Sequence, residues 1–113
     1  TNVGIGTTAP SSILHLQTPT GTAPKLWFGQ AAVSAWSIGN NASANTFSII
    51  DEQFGATRLF ISSAGNVGIG TTAPTSRLHV NGLPSFADNA AAIAGGLTVG
   101  AFYHTAGVLK VVI

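Results

Sequence analysis

A sixteen-residue segment occurs twice in this 113-residue chain, and this repeat restricts the accessible folds more than any other feature. Residues 2–17 read NVGIGTTAPSSILHLQ and residues 66–81 read NVGIGTTAPTSRLHVN, so twelve of sixteen positions are identical at an offset of 64 residues. That period is too long for one solenoid turn. We therefore predict four segments: a first repeat (1–17), an insert (18–65), a second repeat (66–81) and a different C-terminal segment (82–113).

Each copy of the motif has the pattern of two short strands. Asn2–Gly6 and Asn66–Gly70 alternate small and apolar residues, which predicts valine and isoleucine on one face and glycine on the other. Glycine at every second position lets another backbone approach that face closely. After a turn containing proline, a second strand is predicted at Ile13–Leu16 and Arg77–Val80, with its histidine facing away from the flanking leucine or valine.

One copy of the motif is too poor in apolar side chains to form a core of its own. Ordering its backbone costs roughly 1–2 kcal/mol per residue, so the motif needs packing partners from other chains. Wrapping of three chains around one axis would supply them. The predicted contacts between chains in the two copies are Val3, Ile5, Leu14, Leu16, Val67, Ile69, Leu78 and Val80.

The insert has the pattern of a four-stranded meander. The candidate strands are Lys25–Gly29, Ala35–Gly39, Thr46–Asp51 and Thr57–Ser62. Turns are predicted at Gly29-Gln30, Gly39-Asn40-Asn41 and Gly55. Alternation predicts one strongly apolar face, which contains Leu26, Phe28, Trp36, Ile38, Phe47, Ile49, Leu59 and Ile61. The opposite face still carries Trp27, Ile50 and Phe60, so we expect one face to contact neighbouring chains.

The C-terminal segment predicts a short helix followed by a hairpin. Asp88 is a favourable N-cap for a helix at Asn89–Ala94 that ends at Gly95-Gly96. Strands are predicted at Val99–His104 and Val108–Ile113, around a turn at Thr105-Ala106-Gly107, with His104 exposed near that turn. We interpret this segment as a trimerisation tip whose contact residues between chains are Phe102, Leu109, Val111 and Ile113.

Charged residues are very rare in this chain. Four basic and three acidic residues make up 6% of it, against roughly 25% in an ordinary soluble domain. A compact monomer of this mass exposes about 5,800 Å², so we expect much of the surface to be buried against other copies and the remainder to be neutral and polar. The alternative is a monomer with unusually few charges. The composition predicts no nucleic-acid footprint, no membrane insertion, no disulfide framework and no thiol nucleophile.

The motif resembles a repeat of phage tail fibres and related virion fibre proteins. The matching residues are Ala64–Pro74 followed by Leu78-His79-Val80, and the first copy matches as well. The sequence of residues 87–112 also resembles a small C-terminal tip of fibre-like viral and bacterial proteins. This resemblance implies a mainly β, intertwined, parallel homotrimer of β-prism type in a virion appendage, extracellular when it acts on the host surface. Many such fibres end in a self-cleaving chaperone domain; either it was removed or the small tip replaces it, and we expect the latter.

Two histidines and two tryptophans are candidate binding residues. His15 and His79 occupy equivalent repeat positions, where three copies on an axis could hold a metal ion. Each chain supplies one histidine and no acid there, so the favoured interpretation is a structural histidine and no metal. Trp27 and Trp36, with Asn40 and Asn41, could contact a glycan, although aromatic residues in a meander more often belong to a core.

The acidic residues provide little for catalysis. Asp51 and Glu52 are adjacent, so on a strand they point to opposite faces and cannot flank one bond. We expect a solvated turn there, with Arg58 or Lys25 as ionic partners. The pairs of glycines lack the third glycine and the helix of a nucleotide-binding loop. We therefore predict no enzymatic activity and no cofactor.

The sequence thus favours a structural and adhesive segment of a phage tail fibre, with itself and a host-surface glycan or protein as partners. Two alternatives remain open. A bacterial trimeric adhesin or a contractile-injection fibre would use the same physical interactions, whereas a glycan depolymerase fragment would need clustered acids. Because the sequence begins at Thr1, inside a repeat copy and without methionine, we expect a fragment.

Overall fold

The computed structural model describes residues 1–19, 22–30, 34–41 and 44–113. Of these residues, 43% lie in strands and 6% in a helix, so the prediction of a mainly β chain is confirmed. The elements are β1 (Val3–Ile5), β2 (Leu14–Leu16), β3 (Lys25–Gln30), β4 (Ser34–Asn41), β5 (Thr46–Asp51), β6 (Ala56–Ile61), β7 (Val67–Ile69), β8 (Leu78–Val80), α1 (Asn89–Ala94), β9 (Phe102–Thr105) and β10 (Val108–Val111). They form two compact units, residues 1–81 and 82–113.

No helix in the described part of the chain is both long enough and apolar enough to span a bilayer. The predicted division into four segments and the intertwined trimeric prism both stay predictions.

The two repeat copies fold in the same way. In each, the first strand pairs in parallel with the second, with Gly4 opposite His15 in one copy and Gly68 opposite His79 in the other. The alternation predicted for the second strand is therefore confirmed. The turns also match, since the asparagine that begins each copy donates its side-chain N–H to the proline carbonyl, from Asn2 to Pro10 (3.2 Å) and from Asn66 to Pro74 (3.3 Å).

The insert forms the predicted four-stranded meander and continues into the second repeat as one six-stranded sheet. Strands β3 to β7 are antiparallel in chain order, and β8 adds in parallel to β7. Two turn predictions were wrong: Gly29-Gln30 lies inside β3 and Gly39-Asn40-Asn41 lies inside β4. Both pairs of strands continue their ladder through these residues. The turn at Gly55 is confirmed, with a backbone φ of 61°.

The C-terminal unit contains a small core of its own. Ala92, Tyr103 and Val112 are buried, and Phe86, Leu97 and Ala101 pack against them. The rings of Phe86 and Tyr103 meet edge to face, with centroids 6.3 Å apart. This unit thus buries apolar side chains within one chain.

The predicted helix in this unit is confirmed, with its caps. The Asp88 side chain accepts a hydrogen bond from the Ala91 N–H at 2.8 Å. At the other end, Gly96 takes a φ of 94° and donates to Ile93, and Leu97 donates to Ala92. These two bonds form a Schellman motif, whose following apolar residue, Leu97, reaches the core.

The predicted hairpin is shorter than expected. Its loop contains two residues, Ala106 (φ 47°) and Gly107 (φ 84°), which is the type I′ pattern, and Thr105 pairs within the ladder. Residues 99–101 lie outside the strand because Gly100 turns the chain with a φ of 90°. The prediction of an exposed His104 was wrong: the residue is half-buried, since Pro84 and Phe86 bond to its backbone on the outer side of β9.

Candidate assembly surface

The six-stranded sheet has one face made almost entirely of apolar side chains. Residues directly opposite each other in a ladder share a face, and the registers place Phe28 opposite Trp36, Ile49 opposite Leu59 and Ile69 opposite Val80. We define the apolar sheet face as Leu26, Phe28, Trp36, Ile38, Phe47, Ile49, Leu59, Ile61, Val67, Ile69, Leu78 and Val80. The face predicted for the insert is therefore confirmed, and it extends across the second repeat.

Within the described residues, none of the side chains of this face is fully buried. Phe28 is 54% exposed, Trp36 43% and Leu78 61%, whereas every hydrophobic residue described as buried belongs to residues 82–113. A contiguous exposed apolar patch of this kind marks a contact surface. The apolar sheet face is therefore a candidate contact surface.

The predicted contact residues of the other segments are also exposed. Val3 and Ile5 of β1 share a face with Leu14 and Leu16 of β2, and three of these four side chains are more than half exposed. In the tip, Phe102, Leu109, Val111 and Ile113 are exposed, and the half-buried His104 shares the hairpin face of Phe102, Leu109 and Val111. The structure thus leaves all twelve predicted contact residues outside the small core of the C-terminal unit.

The glycine face of the motif is occupied by the chain's own turn. A Cβ on Gly4 would lie 2.5 Å from the Thr7 carbonyl oxygen, and one on Gly68 would clash with the carbonyl oxygen of Thr71. The close backbone approach inferred from the sequence is therefore present, and within each chain it is made by the turn.

The two acids beside each other both form ion pairs, on opposite faces of the sheet. Asp51 binds Arg58 at 2.7 Å and Glu52 binds Lys25 at 2.9 Å, so both predicted partners are confirmed. The expectation of a solvated turn was wrong for Asp51, which ends β5 and is 6% exposed, since Arg58 lies over it at a bulge in β6.

The Ser37 hydroxyl, which is buried, donates to the same Glu52 oxygen that Lys25 contacts, at 2.6 Å. This hydrogen bond, followed by the hydrogen bond and the charge of Lys25, lowers the pKa of Glu52 below its ordinary value. No sequence pattern indicated Ser37, because serine is common in this chain and its burial depends on the sheet register.

The two repeat histidines have matching structural contacts. The His15 ring Nδ1 accepts a hydrogen bond from the Ser11 N–H at 3.2 Å, and the His79 Nδ1 accepts one from the Thr75 N–H at 3.4 Å. Each ring therefore closes the turn of its own copy. Within the described residues no group of three or more potential ligands could hold a metal ion.

The candidate glycan residues do not converge in one chain. Trp27 lies opposite Ser37, on the face of the sheet away from the apolar sheet face, whereas Trp36 and Asn40 lie on the same side as the apolar sheet face. The side chain of Asn41 lies outside the described part of the structure. Trp27 is 58% exposed.

Comparison with models of known protein families found no matching family, and comparison with curated proteins found no matching relative.

Proposed function

We propose that the chain is a structural and adhesive segment of a homotrimeric fibre, of the phage tail-fibre type, that acts outside the cell at a host surface. The apolar sheet face carries this proposal. None of its twelve apolar side chains is fully buried among the described residues, and six are exposed, so a second and third copy of the same face would bury them further.

The charges of the chain support a structural role. All three carboxylates have structural contacts: Asp51 with Arg58, Glu52 with Lys25 and Ser37, and Asp88 with the first turn of α1. The sparse charge elsewhere suits a surface that packs against identical copies, where like charges would otherwise meet. The resemblance of both repeat copies to fibre repeats supports the same assignment.

Host attachment in this proposal depends on multivalency. Three identical chains present three copies of any weak site, so their combined affinity for a surface with many ligands exceeds that of one site. A host glycan or protein is the proposed partner, and no hydrolysis of it is expected. Glycan hydrolysis that disappears in Asp51→Asn or Glu52→Gln would contradict the non-enzymatic part of this proposal.

The test of self-association is the mass of the full chain under native conditions, with Ile69→Asp as the disrupting variant. Ile69 lies on the apolar sheet face, so an aspartate there would bury an unpaired charge in the contact between copies. We expect a trimer for the unmodified chain and loss of the trimer for the variant.

The matched control is His79→Asp, which places the same charge on the neighbouring strand β8 but on the opposite face. We expect this control to remain trimeric. A monomer from the unmodified chain, or a soluble trimer from Ile69→Asp, would overturn the proposal.

A further inference from the structure

One edge of β1 has no neighbouring strand among the described residues, whereas the matching edge of β7 is paired with β6. Residues 2–10 and 66–74 are identical in sequence, yet β7 pairs with β6 on that edge, whereas in the described residues β1 pairs with β2 alone. The consequence is visible in exposure: Gly68 is buried and Gly4 is exposed. The first copy therefore presents the same strand edge as the second without the strand that covers it.

The backbone hydrogen bonds that β7 makes with β6 indicate what kind of strand could pair with the same edge of β1. The Gly70 N–H donates to the Arg58 carbonyl at 3.2 Å, and the Ser62 N–H donates to the Asn66 carbonyl at 2.9 Å. Between them Phe60 lies opposite Gly68. The edge of β7 is therefore occupied by an antiparallel strand, β6. The residues of β6 and its end that face or flank this edge are, in order, a basic residue, a leucine, an aromatic residue, an apolar residue and a small residue.

Strand β3 has this order of residues. Lys25-Leu26-Trp27-Phe28-Gly29 matches Arg58-Leu59-Phe60-Ile61-Ser62 in residue type at every position. In both strands the leucine and the apolar residue lie on the apolar sheet face and the aromatic residue lies on the other.

The peptide groups of β3 also point in the required direction. The Glu52 N–H donates to the Ala35 carbonyl, so the peptide group of Ala35 faces β5. By alternation along the antiparallel ladders, the peptide groups of Leu26 and Phe28 face β4. Those of Lys25, Trp27 and Gly29 therefore face the outer edge, as those of Arg58, Phe60 and Ser62 face β7.

We propose that β1 of one copy pairs antiparallel with the outer edge of β3 of a second copy. The repeat offset fixes the register: Gly29 opposite Asn2, Trp27 opposite Gly4, and Lys25 opposite Gly6. Trp27 then lies opposite the exposed Gly4, as Phe60 lies opposite the buried Gly68. This inference rests on the proposed self-assembly and specifies one contact between the copies, in addition to the proposed contact through the C-terminal tip.

The partner is a second copy and not the same chain, because β1 and β3 lie in separate sheets of one chain. The pairing would extend each apolar sheet face by Val3, Ile5, Leu14 and Leu16. It is a head-to-tail contact, in which each copy gives one edge and accepts another, and three such contacts close a ring.

A disulfide test exploits the absence of cysteine from the chain. In the proposed register Ile5 lies opposite Leu26 in a non-hydrogen-bonded pair, whose Cα atoms are about 4.5 Å apart, close enough for a disulfide. We expect the double variant Ile5→Cys/Leu26→Cys to form covalent oligomers up to the trimer on oxidation, resolved on a non-reducing gel. Leu59→Cys/Ile69→Cys, the equivalent pair within one chain, is the positive control and forms a disulfide in the monomer.

The outcomes of this test distinguish a failure of the proposed β1–β3 pairing from a failure of the proposed trimer. A chain that is trimeric by native mass but forms no disulfide between copies overturns the strand pairing and leaves the proposed function intact. A disulfide within single chains overturns it in favour of pairing between β1 and β3 of one chain. A monomer with no disulfide overturns both proposals.

Amide hydrogen exchange of the unmodified chain provides a second measurement that needs no substitution. The N–H groups of Gly4 and Trp27 face the proposed contact, so we expect both to be protected at least tenfold more in the assembled chain than on dilution to monomer. Equal exchange of these two amides in both states overturns the pairing.

Discussion

At Gly68 the backbone has an ordinary strand conformation, and glycine is still required there because a Cβ would clash with the carbonyl oxygen of Thr71. A glycine in a turn such as Gly55 is required instead by its positive φ, with open space around it. The same residue type thus has two different physical roles in the two places.

Replacing Gly68 by alanine should therefore destabilise the sheet by about 1–3 kcal/mol, since an inserted methyl group forces a backbone shift. Gly55→Asn is the control, because asparagine adopts the left-handed conformation at small cost. Urea denaturation of both variants would measure the difference. Equal midpoints for the two variants would contradict the role assigned to Gly68.

The stability of the sheet should also depend on the ionisation of Glu52. Its pKa is lowered in the folded chain, so its carboxylate contributes stability above the unfolded pKa, and this contribution is lost as the pH falls through the folded value. We expect the unmodified chain to exceed Glu52→Gln in stability at pH 7, with the gap closing as the pH is lowered past the ordinary carboxyl value of 4.5 and through the lower folded value. Denaturation midpoints at both pH values measure it, and a gap independent of pH would refute this origin.

Among the elements, the strands and the helix depend on different interactions. A six-residue helix is marginal in isolation, and α1 is retained because both of its ends are capped and Ala92 enters the core. The three-residue strands of the repeat are held by a parallel ladder and by a hydrogen bond across the turn, from the asparagine side chain to the proline carbonyl. Neither kind of element depends on a large apolar interior.

The cap of α1 can be tested by Asp88→Ala. Loss of the bond from the Ala91 N–H should destabilise the helix by about 1 kcal/mol. The amide of Ala91 should exchange faster with solvent, by about fivefold. Asp88→Ser keeps a side-chain acceptor at the cap, so it should retain most of the protection; similar exchange in the alanine and serine variants would argue against capping.

On the scale of the whole molecule, the distribution of buried side chains is uneven. The chain exposes 7639 Å², compared with about 5,800 Å² for a compact monomer of 11.4 kDa. Residues 82–113 have their own core, whereas the described part of residues 1–81 contains no fully buried hydrophobic side chain. We infer that the C-terminal unit acts as the trimerisation tip and that residues 1–81 depend on partner copies.

Truncation after Asn81 tests this division of roles. Without the tip, the exposed apolar side chains of Phe102, Leu109, Val111 and Ile113 are absent, so we expect light scattering to show no defined trimer. The unmodified chain at the same concentration is the reference. A truncated chain of trimeric mass would place the determinant of assembly in residues 1–81.

The sequence alone was sufficient to locate the strands of the insert and of the repeats, the helix cap and the part of the apolar sheet face that lies in the insert. These features depend on local alternation and on single residues such as Asp88, and such signals are short-range. It also identified the ionic partners of Asp51 and Glu52, because so few charges were present that the pairing had few alternatives.

Only the tertiary structure decided which residues meet across strands. The burial of Asp51 and the hydrogen bond from Ser37 to Glu52 follow from the register and from a bulge between Ile49 and Ile50. A shift of one residue would move every side chain to the other face. Register is fixed by interactions between residues distant in the chain, so local sequence patterns do not determine it.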